Sequence, residues 1–367
     1  MAEALKNMFN KEFIEHLSTI IEDLIDGFNK ESFVKGVFNH HWHSLELKER
    51  MQHISMVISK QLPKKYKEAV DIILSLTDKA EEHSSEMSFV YMFLPNFIEQ
   101  FGINHLDISI KAMERITQFT SCEFAVRPFI IKYPEQMMEQ MLKWSIHPHQ
   151  NIRRFSSEGC RSRLPWAMAL PELKKDPSPI LPILENLKDD ESEFVRKSVA
   201  NNLNDISKDH PDLVLELGKR WMGKSKNTDW IVKHAFRTLL KQGNSKALAM
   251  FGYGNLEHIS IDDFKLVTPQ ISFGDHLSFS FKVNNKADEE VLIRLEYAIY
   301  YQKANGSLSK KVYKISEKNY TANSQTALIR KQAFKPISTR KFHEGLHQVS
   351  LIVNGKELDK SDFTLKF

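Results

Sequence analysis

The sequence predicts a mainly α chain that ends in an all-β domain, and three observations carry that expectation. Apolar residues recur every three to four positions from the N-terminus to about residue 250. A short helical motif repeats at near-constant spacing in the second half of that region, and the period drops to two after Gly252. The chain, 367 residues long, suffices for two ordinary domains, each with its own core.

In the first element Phe13, Ile14, Leu17, Ile20, Ile21, Leu24 and Ile25 form one apolar stripe. Similar stripes run through residues 51–59, 66–76, 108–116 and 137–144. Glycine is scarce here and most prolines fall between stripes. Segments of about 10 to 15 residues therefore read as helix pairs rather than as one coiled coil.

Three of these helices open in the same way. Asn151-Ile152-Arg153-Arg154, Phe194-Val195-Arg196-Lys197 and Ile231-Val232-Lys233-His234 each set an apolar residue before a basic one, after a polar or Asp-containing turn. From Ile152 to Val195 is 43 residues and from Val195 to Val232 is 37. A period of about 40 to 47 residues marks HEAT repeats, so the expected architecture is a HEAT-like α-α superhelix, or solenoid.

Beyond Gly252, Leu277, Phe279, Phe281 and Val283 alternate with Ser278, Ser280 and Lys282. Val291, Ile293, Leu295, Tyr297, Ile299 and Tyr301 alternate likewise, as do Val349, Leu351 and Val353, and then Phe363, Leu365 and Phe367. Ala304-Asn305-Gly306-Ser307 and Asn354-Gly355 supply turn chemistry. About seven short strands in such a length favour an immunoglobulin-like sandwich over a barrel. The expected division is a helical domain over residues 1–255 and a β domain over 256–367, with the switch somewhere in 252–262.

Composition narrows the function classes. A net charge of +4, from 51 basic and 47 acidic residues, permits nucleic-acid binding without demanding it. Cys122 and Cys160 fit neither a disulfide framework nor a CxxC metal pattern, and are expected to be reduced and structural. The start of the chain has no signal-peptide core, and the apolar stretch 89–98 is about half a membrane span. A cytoplasmic protein without a membrane anchor is expected. His40, His41 and His43, and His147 with His149, lack a carboxylate or Cys at ligand spacing, so no metal is expected. No phosphate-binding loop, dinucleotide fingerprint, nucleophile elbow or Cys-His pattern is present, and no cofactor is expected.

The informative segment is HPHQNIRRFSSEGCRSRLPW, residues 147–166. It holds Arg153, Arg154, Arg161 and Arg163 around a single acid, Glu158. On a helix Glu158 lies one turn after Arg154, so a surface salt bridge accounts for the pair. The sharper reading is a basic rim that holds DNA phosphates and aims one carboxylate at the sugar. Asp205 falls near the end of its helix, where the dipole disfavours an acid, and an interaction with Lys208 explains it equally well. Glu123 can pair with Arg127 four residues on. Trp166 and Trp230 are by composition ordinary core candidates, but Trp166 follows Pro165 in a loop-like stretch.

The run from Asn151 through Glu158, Arg161 and Arg163 to Trp166 resembles the signature of AlkC-type alkylbase DNA glycosylases, relatives of the AlkD helical-repeat enzymes. Thr120-Ser-Cys-Glu123-Phe-Ala-Val-Arg127-Pro-Phe and Val195-Arg-Lys-Ser-Val-Ala-Asn201-Asn202-Leu-Asn-Asp205 agree in the same order. Leu47-Lys-Glu-Arg-Met-Gln-His53 and the Gly345 to Gly355 stretch also fit, so the likeness spans nearly the whole chain. It implies excision of cationic bases such as 3-methyladenine and 3-methylcytosine from duplex DNA with the base still stacked. The enzyme would be monofunctional and monomeric, leaving an abasic site. The implied catalytic set is Glu158, Asp205, Glu123 and Trp166. The implied DNA contacts are Arg153, Arg154, Arg161, Arg163, Lys197, Trp230, Lys233 and Arg237, with the sandwich domain helping to grip the duplex.

The chemistry supports those roles without the family. A base alkylated on a ring nitrogen is already a good leaving group, so the barrier is glycosidic cleavage toward an oxocarbenium-like sugar. Carboxylates and aromatic faces stabilise that cation, and a carboxylate can orient the attacking water. Two rivals stand beside this reading. One is a DNA-binding repeat protein without excision, which needs the basic rim but not the acids. The other is a protein-binding HEAT scaffold, which needs an apolar concave face.

Overall fold

A computed structural model describes residues 5–82, 89–254, 256–337 and 340–367. Residues 1–4, at the start of the segment read for a signal peptide, and Asn255, the last residue of the expected helical domain, lie outside the described residues. By packing, the chain forms two compact units. One comprises residues 1–214 and 220–235, the other 215–219 and 236–367.

The first unit is all helical. Its helices begin on side-chain caps where the sequence offers them: the Asn10 carboxamide oxygen accepts from the Phe13 amide at 2.8 Å, and Glu46 with Glu49 closes a capping box. The helices Leu106–Phe119, Gln150–Gly159, Glu193–Ile206 and Lys226–Ala235 pack side by side in chain order. Pro134–Trp144 and Leu181–Leu187 form the second layer behind them. This is the HEAT-like α-α arrangement, and its core side chains are the repeated apolar positions: Ile152 and Phe155, Val195 and Val199, Ile231 and Val232.

The basic residue of the repeat motif builds the seam. Arg153 Nη1 donates to the carbonyls of His147 and Pro148, six and five residues back. Arg196 Nη1 does the same to the carbonyls of Asp190 and Glu191. Arg153 also grips the Asp190 carboxylate of the next repeat with Nε at 2.6 Å and Nη2 at 3.1 Å. Each arginine thus closes the turn before its own helix, and Arg153 ties that turn to the next one.

The second unit contains the sandwich. Eight strands are present among the described residues: β1 (Ile259–Leu266), β2 (Gln270–Ser272), β3 (His276–Asn285), β4 (Val291–Gln302), β5 (Leu308–Tyr320), β6 (Ser324–Ala333), β7 (Gly345–Val353) and β8 (Lys356–Lys366). They form a three-stranded sheet, β1-β3-β6, and a five-stranded sheet, β2-β8-β7-β4-β5. The strand beyond the expected seven is accounted for by β2, which is three residues long and pairs in parallel with β8. Leu277, Phe279, Phe281 and Val283 meet Ile293, Leu295, Ile299, Val349, Leu351 and Leu365 in the core, as immunoglobulin-like alternation requires. Phe367 lies just past β8 and stacks on Phe273 rather than extending the strand.

The outward face of the five-stranded sheet is also buried: Arg294, Glu296, Ser350 and Ile352 are shielded. The helical residues 236–254 belong to the same unit, and the contact is close at one point. Asn354 and Gly355 have φ of 42° and 78° and form the two-residue turn between β7 and β8. A Cβ on Gly355 would lie 2.6 Å from the Gly243 Cα and 2.7 Å from Leu248 Cδ1. Glycine is required there by the turn and by the neighbour.

Candidate active site

Glu158 is the penultimate residue of the Gln150–Gly159 helix, and Asp205 is the penultimate residue of Glu193–Ile206. Because those helices pack side by side, the two carboxylates come from corresponding turns of successive repeats. Both are buried, at 6% and 2% exposure. An acid at a helix C-terminus faces the negative end of the dipole, at a cost of roughly 0.3–1 kcal/mol. Cations offset that cost here.

Arg161, in the loop that follows Glu158, supplies the first. Its Nη1 donates to Glu158 Oε1 at 2.6 Å and its Nε to Asp205 Oδ2 at 2.8 Å. Burial works against the Arg161 charge, but Glu158 and Asp205 outweigh it and raise its pKa above the ordinary arginine value. Lys208 completes Asp205 from the solvent side at 3.0 Å. The Ser198 hydroxyl, on the Asp205 helix, donates to Glu158 Oε2 at 2.6 Å.

On the other side of Glu158, Arg154 lies 3.7 Å away and forms an ion pair with Glu123. Arg154 also donates to Ser121 Oγ at 2.7 Å, and Ser121 donates to Glu123 Oε2 at 2.7 Å. The result is an alternating row, Glu123–Arg154–Glu158–Arg161–Asp205–Lys208, drawn from three successive stretches of chain. Fixed counter-charges hold three carboxylates in place before any ligand arrives, which is the condition for electrostatic preorganisation.

Arg127 has a different role from the Glu123 partner that spacing allows. It is fully buried and donates to the carbonyls of Met168 at 2.6 Å, Arg161 at 2.9 Å and Gly159 at 3.0 Å. Burial without a carboxylate partner lowers its pKa to about 10. Gly159 itself packs tightly: a Cβ there would sit 2.9 Å from Val126 Cγ1. Arg127 thereby closes the end of the Glu158 helix and pins both ends of the 160–170 loop.

Trp166 stands at the tip of that loop, 64% exposed, with φ of 63°. Of the remaining candidates, Arg153 has all three guanidinium nitrogens engaged in the repeat seam. Arg163 pairs with Asp209 at 2.7 Å and is half-exposed, and exposed Lys197 pairs with Glu193 at 2.7 Å. Trp230 is partly exposed and stacks on His234 with centroids 5.1 Å apart. Lys233 lies in the last turn of the same helix, while Arg237 opens the Arg237–Lys241 helix of the second unit.

The structure adds residues that spacing did not single out. Ser121 and Ser198 hydrogen-bond the acids, and exposed Phe194 lies 4.8 Å beneath the Arg154 guanidinium. Cys122 and Cys160 are free and buried, and burial pushes the Cys160 thiol up to about 12. No helix among the described residues is long and apolar enough to cross a membrane.

A family model described as DNA alkylation repair enzyme matches residues 113–239, the stretch that carries all of the acidic row. A second model, the C-terminal Ig-like domain of the uncharacterised protein YhaZ, matches residues 260–367. Fold and site together define a helical-repeat protein of the DNA-alkylation-repair class with an immunoglobulin-like domain appended. The uncharacterized protein YhaZ of Bacillus subtilis (strain 168) is 44% identical over 359 residues, 98% of each chain. The structure of Pseudomonas fluorescens alkylpurine DNA glycosylase AlkC, bound to DNA containing an abasic site analog, matches with a TM-score of 0.93 and 33% identity over 100% of both chains. The chain belongs to the AlkC-type alkylbase DNA glycosylase family.

Proposed function

We propose that this protein is a monofunctional DNA glycosylase that hydrolyses the N-glycosidic bond of cationic alkylated bases, 3-methyladenine and 3-methylcytosine among them, in duplex DNA. The products are the free base and an abasic site. The observation that carries the reading is the Arg161 bridge between Glu158 and Asp205, with Glu123 held beside it through Arg154. A binding module needs cations alone, whereas this row fixes three anions where a positively charged sugar can be met.

In this reading Glu158 and Asp205 stabilise the oxocarbenium-like sugar and orient the attacking water, with Glu123 in support. Trp166 presents its aromatic face to the departing cation. The exposed loop suits attack on a nucleotide approached along its backbone, with the base kept in the stack. Arg154, Arg163, Lys197, Trp230, Lys233 and Arg237 are the proposed DNA contacts, whereas Arg153 is committed to the repeat seam and buried Arg161 to the two carboxylates. Residues 1–255 carry the chemistry and 256–367 assist in holding the duplex. The protein works as a monomer on the nucleoid, in the cytoplasm.

The test is release of free base from duplexes bearing defined N3-methyl adducts, beside binding to abasic-site DNA. Release by the wild type and its loss in Glu158→Gln are expected. Tight binding with no release from any adduct would reduce the protein to a DNA-binding member of the fold.

A further inference from the structure

Trp166 is a bulky residue in the left-handed region of backbone space. Such a conformation persists only where the surroundings impose it, and it gathers at functional sites. Two side chains impose it here. Arg127 fixes the loop from beneath at the carbonyls of Gly159, Arg161 and Met168. Lys48 fixes the tip: its Nζ donates to the Trp166 carbonyl oxygen at 2.9 Å.

Lys48 lies in the first turn of the Leu47–Ser59 helix, 118 residues before its acceptor and outside the stretch matched by the alkylation-repair model. The same ammonium sits 4.8 Å from the centroid of the Phe124 ring, next to Glu123. With Ser121 and Phe124 it lines one small cleft, and Ser121 is hydrogen-bonded to both Glu123 and Arg154. A single exposed side chain therefore meets both the Trp166 loop and the segment that begins the acidic row.

We propose that Lys48 is a positioning residue, which locks the strained Trp166 loop and sets the indole against the acidic row. The role in excision rests on the glycosylase reading, while the lock itself is a property of the free protein. The alternative source of a functional lysine at this place is a phosphate contact, which would act on affinity and its salt dependence instead.

Lys48→Met keeps the aliphatic stem and removes the donor, and Lys48→Arg restores one. The first measurement is time-resolved fluorescence anisotropy of the full chain without DNA, in a Trp230→Phe background. The other tryptophans, Trp42, Trp144 and Trp221, are buried, so Trp166 reports its own motion. Fast depolarisation should grow in Lys48→Met and return to the wild-type level in Lys48→Arg. Unchanged anisotropy overturns the proposal.

The second measurement is single-turnover release of 3-methyladenine. Lys48→Met should be slower on the order of tenfold to a hundredfold, because a misplaced group loses rate steeply with distance. In a Trp166→Ala background the same change should have no further effect. The slope of log affinity against log salt should be unchanged; a slope smaller by about 0.9 with normal anisotropy identifies a phosphate contact and overturns the lock. A wild type that releases no base removes the glycosylase reading, and the anisotropy still decides the lock.

Discussion

Arg161 donates from Nε to Asp205 at 2.8 Å across 44 residues of sequence, and the bond joins the ends of two successive repeats. The arginine that completes Glu158 is the one that completes Asp205, so neither carboxylate is independent of the other.

Removal of that shared cation leaves two buried anions without their main counter-charge. Breaking a buried pair by deleting one partner costs about 3–5 kcal/mol. Arg161→Ala is expected to destabilise the protein by that amount in urea denaturation at neutral pH. A loss below about 1 kcal/mol, the range of surface pairs, would mean that the row contributes little to the fold.

Kinetics should separate Glu158 from its hydrogen-bond donor. Glu158→Gln is expected to slow base release by roughly 10²–10³, the usual effect of losing one preorganised electrostatic group. Ser198→Ala should cost less, because Arg161 still holds Glu158 Oε1 at 2.6 Å. If the serine variant proves the slower of the two in single-turnover assays, the assignment of roles must be reversed.

Glu99, in the cleft it shares with Lys48 and Ser121, provides a pH test. Burial raises its pKa, and the Asn96 amide at 3.1 Å and nearby Lys48 only partly counter it. For an acid with a raised folded pKa, the folded state holds the proton more tightly than the unfolded chain. Stability from this group is full below the unfolded value and is lost as pH rises through the folded one. Glu99→Gln should therefore gain stability relative to wild type at pH 7 and lose that advantage near pH 4, as read from paired thermal melts.

Gly355→Ala is expected to destabilise the protein by about 1–3 kcal/mol through overpacking alone. The added methyl would meet Gly243 and Leu248 inside normal contact, and the positive φ adds strain. Calorimetry on the full chain would measure it; a neutral result would show that the turn yields easily.

Much of this molecule is legible in one dimension. The helical stripes at 51–59, 66–76 and 137–144 lie inside observed helices, and the strands with strict alternation became β3, β4, β7 and β8. β5 carries four lysines with weak alternation, and β2 has three residues, so neither gives a period to detect. Periodicity also brought Glu158 and Asp205 to equivalent turns. Spacing could not reveal which way an arginine faces. Arg127 is four residues from Glu123 yet turns inward to three carbonyls of the 159–168 stretch. Arg153 joins the repeat seam because Asp190 waits in the next turn. Lys48 reaches Trp166 only once the solenoid has formed, and no local pattern encodes that contact.

The seam built by Arg153 and Arg196 bears on how such a chain can change over generations. Each of these two arginines fastens the turn before its own helix by the same pair of bonds, so the fastening travels with the repeat. A duplication or deletion of one whole unit would carry its own lock and preserve the join, whereas a cut within a unit would separate an arginine from its carbonyls. The third copy read in the sequence does not repeat this placement: Arg153 and Arg196 are each the fourth residue of their helices, whereas Lys233 lies in the last turn of Lys226–Ala235, and residues 227–229 belong to that helix rather than to a turn before it.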